Sequence, residues 1–63
     1  GETSRAQEMS FYFYVLNGLP SRSFSDEETA CTIAENDMVA GDAAYVMHCQ
    51  GHTVVLKCTL YRQ

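Results

Sequence analysis

Two runs rich in Val, Tyr, Leu and Thr, Ala43–Cys49 and His52–Tyr61, are separated only by Gln50-Gly51, and this spacing constrains the fold more than any other feature. A two-residue loop containing Gly between such runs is a strong local hairpin signal, although Gln-Gly is less typical than Asn-Gly. With the loop at Gln50-Gly51, Cys49 faces His52, Met47 faces Val54, Tyr45 faces Leu56 and Ala43 faces Cys58. Strand side chains alternate and paired residues point the same way, so these eight share one mostly apolar face. His48, Val46 and Ala44 then lie beside Thr53, Val55 and Lys57 on a more polar face. In that register Cys49 and Cys58 are about 20 Å apart along the ladder, at ~3.4 Å per residue. A disulfide needs Cα atoms within about 7 Å, so these two are not expected to pair.

Sixty-three residues allow one domain with a small core. A chain of this size buries only about 60% of its unfolded surface and commonly needs a staple or a partner. Its 46% hydrophobic content argues for folding rather than disorder. Three cysteines in so short a chain suggest an oxidising compartment, and the odd count implies one disulfide plus one thiol, or none. The chain reads as a trimmed mature domain, with no initiating Met and no signal-peptide core. No run approaches the ~18 apolar residues of a membrane span, so no membrane partner is expected. Between Arg22 and Lys57 lie Asp26, Glu27, Glu28, Glu35, Asp37 and Asp42 and no basic residue. A phosphate backbone would be repelled by that field, which argues against nucleic acid, whereas a basic protein surface would be steered towards it.

Residues 1–9 are polar and aperiodic and read as a tail, leaving residues 10–63 as the domain. Ser10–Leu16 is a second clear strand, with Phe11, Phe13 and Val15 on one face and Tyr12, Tyr14 and Leu16 on the other. Asn17-Gly18-Leu19-Pro20 supplies turn chemistry, and Ser21–Ser25 can return as a short strand centred on Phe24. The middle of the chain has two readings. Ser25-Asp26-Glu27-Glu28 fits a capping box ahead of Cys31, Ala34 and Met38 at helical spacing. Ala30–Glu35 also alternates, with β-branched Thr29, Thr32 and Ile33 nearby, and the strand reading is taken. The expected class is therefore all-β, with an α+β mini-domain carrying a helix near Ser25–Asn36 as the alternative.

No residue set spells out an activity. Cys49-x-x-His52 resembles one zinc knuckle, but the hairpin register sends Cys58 away and His48 to the opposite face, so no metal site or cofactor is expected. Cys49 and His52 could pair as thiol and base, yet so short a chain leaves little room for a pocket, and no enzyme is expected. Cys31 is the natural disulfide partner of Cys49 or Cys58. Cys31–Cys49 is the expected bridge, with Cys58 a buried thiol and Cys31–Cys58 as runner-up. A bridge closing ~18 residues contributes about 3 kcal/mol by the loop-entropy estimate. Tyr12 and Tyr14 on the edge of the first strand, with the acids Asp26, Glu27 and Glu28, are the expected partner-binding residues.

The run Tyr14-Val15-Leu16-Asn17-Gly18-Leu19-Pro20, followed by alternating strands and by Cys49 ahead of Val54-Val55-Leu56, resembles the MAX effectors of plant-pathogenic fungi. The resemblance covers Phe11–Tyr61 at the level of spacing. That family usually places its first cysteine at the start of the first strand; here Ser10 and Phe11 stand there, and Cys31 is the only cysteine upstream of Cys49. The resemblance implies a small six-stranded antiparallel β-sandwich with a disulfide and no catalysis. It also implies a secreted monomer that acts in the host cytoplasm as an effector, by binding a host protein partly through a strand edge. In known cases that host protein is a small metal-binding-type domain of an immune receptor. A different class remains as the alternative: a structural or inhibitory disulfide-stapled mini-domain of a larger secreted chain or assembly.

Overall fold

The computed structural model describes residues 9–63, so all of the expected tail except Met9 lies outside the described residues. Four strands and one helix follow in the order β1 (Ser10–Leu16), β2 (Leu19–Pro20), α1 (Glu27–Asp37), β3 (Ala43–Gln50) and β4 (Thr53–Tyr61). The strands form one antiparallel sheet in the order β2-β1-β3-β4, and α1 packs over β1 and β3. The chain is β-rich as expected, but it is not a six-stranded sandwich. One sheet and one helix make two layers, and the segment with two readings is the helix.

Local chemistry explains why the helix wins there. Asp26 is its N-cap, accepting the Thr29 backbone N–H at 2.9 Å and the Thr29 hydroxyl as well. Glu27 and Glu28 occupy the first turn, where the positive end of the helix dipole favours acids. Ala30, Ala34 and Met38 then fall on one stripe at four-residue spacing, and all three are buried. Two alanines in that stripe leave no bulk between helix and sheet. The Met38 backbone N–H closes the last turn on the carbonyls of Ala34 and Glu35, and the Arg62 guanidinium donates to the Glu35 carbonyl at 3.1 Å.

β1 and β2 are joined by Asn17-Gly18, both at positive φ, which is the twist a two-residue type I′ hairpin requires. Beyond β2, Phe24 exchanges both backbone hydrogen bonds with Tyr12, at 2.8 and 2.7 Å. The segment after the turn therefore does run back along β1.

The second hairpin is where sequence and structure part. Gln50 pairs with Thr53, so the loop is Gly51-His52, with Gly51 at φ +62° in the first central position. Cys49 faces Val54 rather than His52, a shift of two residues, which leaves the faces unchanged. A bulge then intervenes: Met47 pairs with Leu56 but Val46 with Cys58, so Lys57 is the extra residue on β4. From there the shift is three residues, and every side chain of β4 changes face. Cys58 and Leu60 join Val46 and Ala44 beneath the helix, while Cys49 stays on the other side of the sheet.

Every fully buried residue lies on the helix side. Tyr14, Phe24, Ala30, Ala34, Met38, Ala44 and Val46 form the core, with Tyr12, Leu16, Cys31, Ile33, Cys58 and Leu60 packed partly against it. Tyr14 stacks on Phe24 at 6.0 Å and donates its hydroxyl hydrogen bond to Asp37. The opposite face presents Phe11, Phe13 and Val15 of β1 beside Tyr45, Met47, Cys49, Val54, Leu56 and Tyr61. Nothing among the described residues covers it.

Candidate functional site

Two places on this scaffold carry chemistry beyond packing: a thiol cluster where α1 meets β4, and the free side of β4 itself. The described residues enclose no pocket.

In the first, Cys31 lies one helical turn after Glu27, so both project from the same side of α1. Cys58 reaches them from β4 because of the bulge at Lys57. The Cys31 and Cys58 sulfurs are 3.7 Å apart, and a Glu27 carboxylate oxygen completes a triangle whose members all lie within 4.8 Å of one another. All three residues are half-buried. The Cys31 thiol is pushed up to about 11, first by burial, then by its contact with Cys58, then by the charges of Glu27 and Glu35. At neutral pH it is a protonated thiol and a poor nucleophile.

The three cysteines are free thiols, so the expected Cys31–Cys49 bridge is not formed. The bulge supplies the reason. It brings Cys58, the runner-up partner, to Cys31, and leaves Cys49 on the far face with its thiol 3.8 Å from the Gly51 carbonyl. Cys58 is half-buried rather than a core thiol. The same separation dissolves the Cys49, His52 and Cys58 grouping considered for zinc. His48 stacks on Tyr12 with ring centres 4.2 Å apart, and its Nε2 is buried without a hydrogen-bond partner among the described residues.

The residues expected to bind a partner are scattered. Tyr14 is a core residue and Tyr12 lies half-buried under the helix layer, so neither forms an exposed surface. Nor is β1 an edge: β2 and Phe24 pair along it on one side and β3 on the other. Asp26 is spent on the helix cap, Glu27 belongs to the thiol cluster, and Glu28 is exposed at the helix start.

The edge that is available is β4, which among the described residues pairs only with β3. All of its residues except Cys58 and Leu60 are exposed, including Val54 at 52%, Val55 at 48% and Leu56 at 51%. The opposite edge is blunt, since β2 is two residues long and ends in Pro20. The one sequence sign of this surface is Val54-Val55-Leu56, an unbroken apolar run where a half-buried strand would alternate. No family model, curated protein or solved structure matches this chain.

Proposed function

We propose that this protein is a non-enzymatic binding module that captures an extended segment of another protein along β4. The observation that carries this reading is the edge at Thr53–Leu56: uncharged, apolar on both faces and, among the described residues, unpaired on its outer side. An exposed edge of this kind is a template for strand addition, in which backbone hydrogen bonds give affinity and alternate side chains give specificity. Lys57 and the bulge end the usable edge, because charges and bulges are the devices that block pairing. A docked strand would lay alternate residues over Val54 and Leu56 on the uncovered face. The net charge of −4 favours a partner segment flanked by basic residues.

In the setting that the MAX-effector resemblance implies, the chain is secreted and the captured strand belongs to a host protein.

Selection of displayed peptides on the immobilised protein, followed by amide hydrogen exchange with the peptides bound, tests the reading. Extended peptides that alternate apolar residues and carry basic flanks are the expected winners, with new protection confined to Thr53–Leu56. Protection elsewhere, or concentration-dependent protection of β4 without any peptide, would replace it with a different surface or with self-pairing.

A further inference from the structure

We propose that Glu27, Cys31 and Cys58 form a binding site for a thiophilic divalent cation of the zinc type, with three protein ligands and a fourth position open to water. The case rests on geometry and on the donor set, and it is independent of strand capture by β4.

The 3.7 Å between the two sulfurs is far from the ~2.05 Å of a disulfide. It matches the spacing of two thiolates on one tetrahedral zinc: with Zn–S of about 2.3 Å, their sulfurs stand about 3.8 Å apart. The Glu27 oxygen falls within the same 4.8 Å envelope, so a third ligand of the correct type is already on that side. Two thiolates and one carboxylate suit zinc or cadmium. They do not suit calcium or magnesium, which take oxygen ligands and more of them.

The backbone supplies this arrangement from two rigid elements. Glu27 and Cys31 sit one turn apart on a capped helix, and Cys58 is fixed by the first pairing beyond the bulge, with Val46. Without the extra residue at Lys57, Cys58 would point to the other face and no third ligand would exist. Glu27 and Glu35, one helical turn before and after Cys31, both place negative charge on this side of the helix, as suits a cation site. Binding is an acid–base exchange with no redox step. Two thiols lose their protons to solvent, the metal takes two thiolates and one carboxylate, and the filled site carries one net negative charge. A filled site would tie α1 to β4.

The test is titration of the fully reduced 63-residue chain with Co2+, followed by displacement with Zn2+. One equivalent of Co2+ is expected to give thiolate-to-cobalt charge-transfer absorption and tetrahedral visible bands, both erased by one equivalent of Zn2+. Cys31→Ser and Cys58→Ser should lose the charge-transfer signal, and Cys49→Ser should keep it. Glu27→Gln should weaken binding by more than about tenfold, since even outer-shell groups act on that scale. Circular dichroism of each variant separates lost ligation from lost folding, and Glu27→Gln, an exchange of similar size, decides if a cysteine variant unfolds. Absence of a saturable signal overturns the proposal, as does a signal that follows Cys49 or an unchanged affinity in Glu27→Gln. Formation of a Cys31–Cys58 disulfide in air, with one equivalent of Zn2+ present, would do the same.

Discussion

The two faces of this sheet are built from similar residues and do opposite things. On the helix side, Tyr14, Phe24, Ala44 and Val46 are shut away by Ala30, Ala34 and Met38. On the other side, Tyr45, Val54, Leu56 and Tyr61 are about as apolar and stay exposed. Composition therefore does not decide which side becomes core; the position of α1 does. The described residues provide a single covering element, and it lands over β1 and β3 because the chain between β2 and β3 is the longest connection among them. Stability belongs to the covered face. The uncovered face and the free edge beside it are what remains for binding.

The largest expected effect follows directly. Phe24 is held by its bridge to Tyr12, by the stacked Tyr14 ring and by the Arg22 guanidinium 4.9 Å above its own ring. Phe24→Ala should cost about 3–5 kcal/mol. A domain of this size has only about 3–9 kcal/mol in total, at roughly 0.05–0.15 kcal/mol per residue. Urea denaturation should find the variant near the edge of unfolding. A loss under 1 kcal/mol would mean that the helix-side core is looser than its burial indicates.

A smaller effect concerns how the covering element is held in place. The Asp26 carboxyl is kept below its ordinary value of 3.8, first by the Thr29 N–H and then by the Thr29 hydroxyl. A group depressed in the folded state contributes stability that is complete above its unfolded value and is lost as pH falls through the folded one. Asp26→Asn, an equally good cap, should keep the helix at neutral pH and flatten the acid limb of the stability profile. Asp26→Ala should lose helical circular dichroism at every pH. Equal acid sensitivity in all three proteins would show that the cap does not govern the helix.

The legible parts of this fold were those written locally. The 43–61 hairpin, the strand at Ser10–Leu16, the Asn17-Gly18 turn and the return at Phe24 each follow from adjacent residues. The helix was legible only as an alternative, because Thr29, Thr32 and Ile33 argue for strand, while the Asp26–Thr29 cap and the Ala30, Ala34, Met38 stripe gain their weight from a sheet to pack on. The hairpin register was out of reach for a physical reason. Gly51 satisfies the turn at either central position, so the loop can move by one residue without violating any local preference. The bulge at Lys57 goes with the packing of Cys58 and Leu60 partly against the helix-side core, tertiary contacts that no adjacent residue signals. The candidate sites inherit that error. Cys31, Cys58 and Glu27 were each singled out, but only the bulge brings them together, and Tyr14 was assigned to a surface because the covering helix was not in view.

The smallest expected effect bears hardest on the comparison of faces. Leu56 is about half exposed on the uncovered side, paired with Met47 and just ahead of the bulge. Leu56→Thr introduces a β-branched residue suited to a strand and removes apolar surface that the isolated chain leaves about half exposed. Its stability should change by no more than about 0.5 kcal/mol, as for surface positions generally. If β4 captures strands as proposed, the same substitution should weaken peptide binding several-fold, because Leu56 would then lie beneath a partner side chain. Stability unchanged and binding weakened would separate the two faces by function. A stability loss above about 2 kcal/mol that grows with protein concentration would instead show that this face is already covered in solution by a second copy, and the contrast between the faces would disappear.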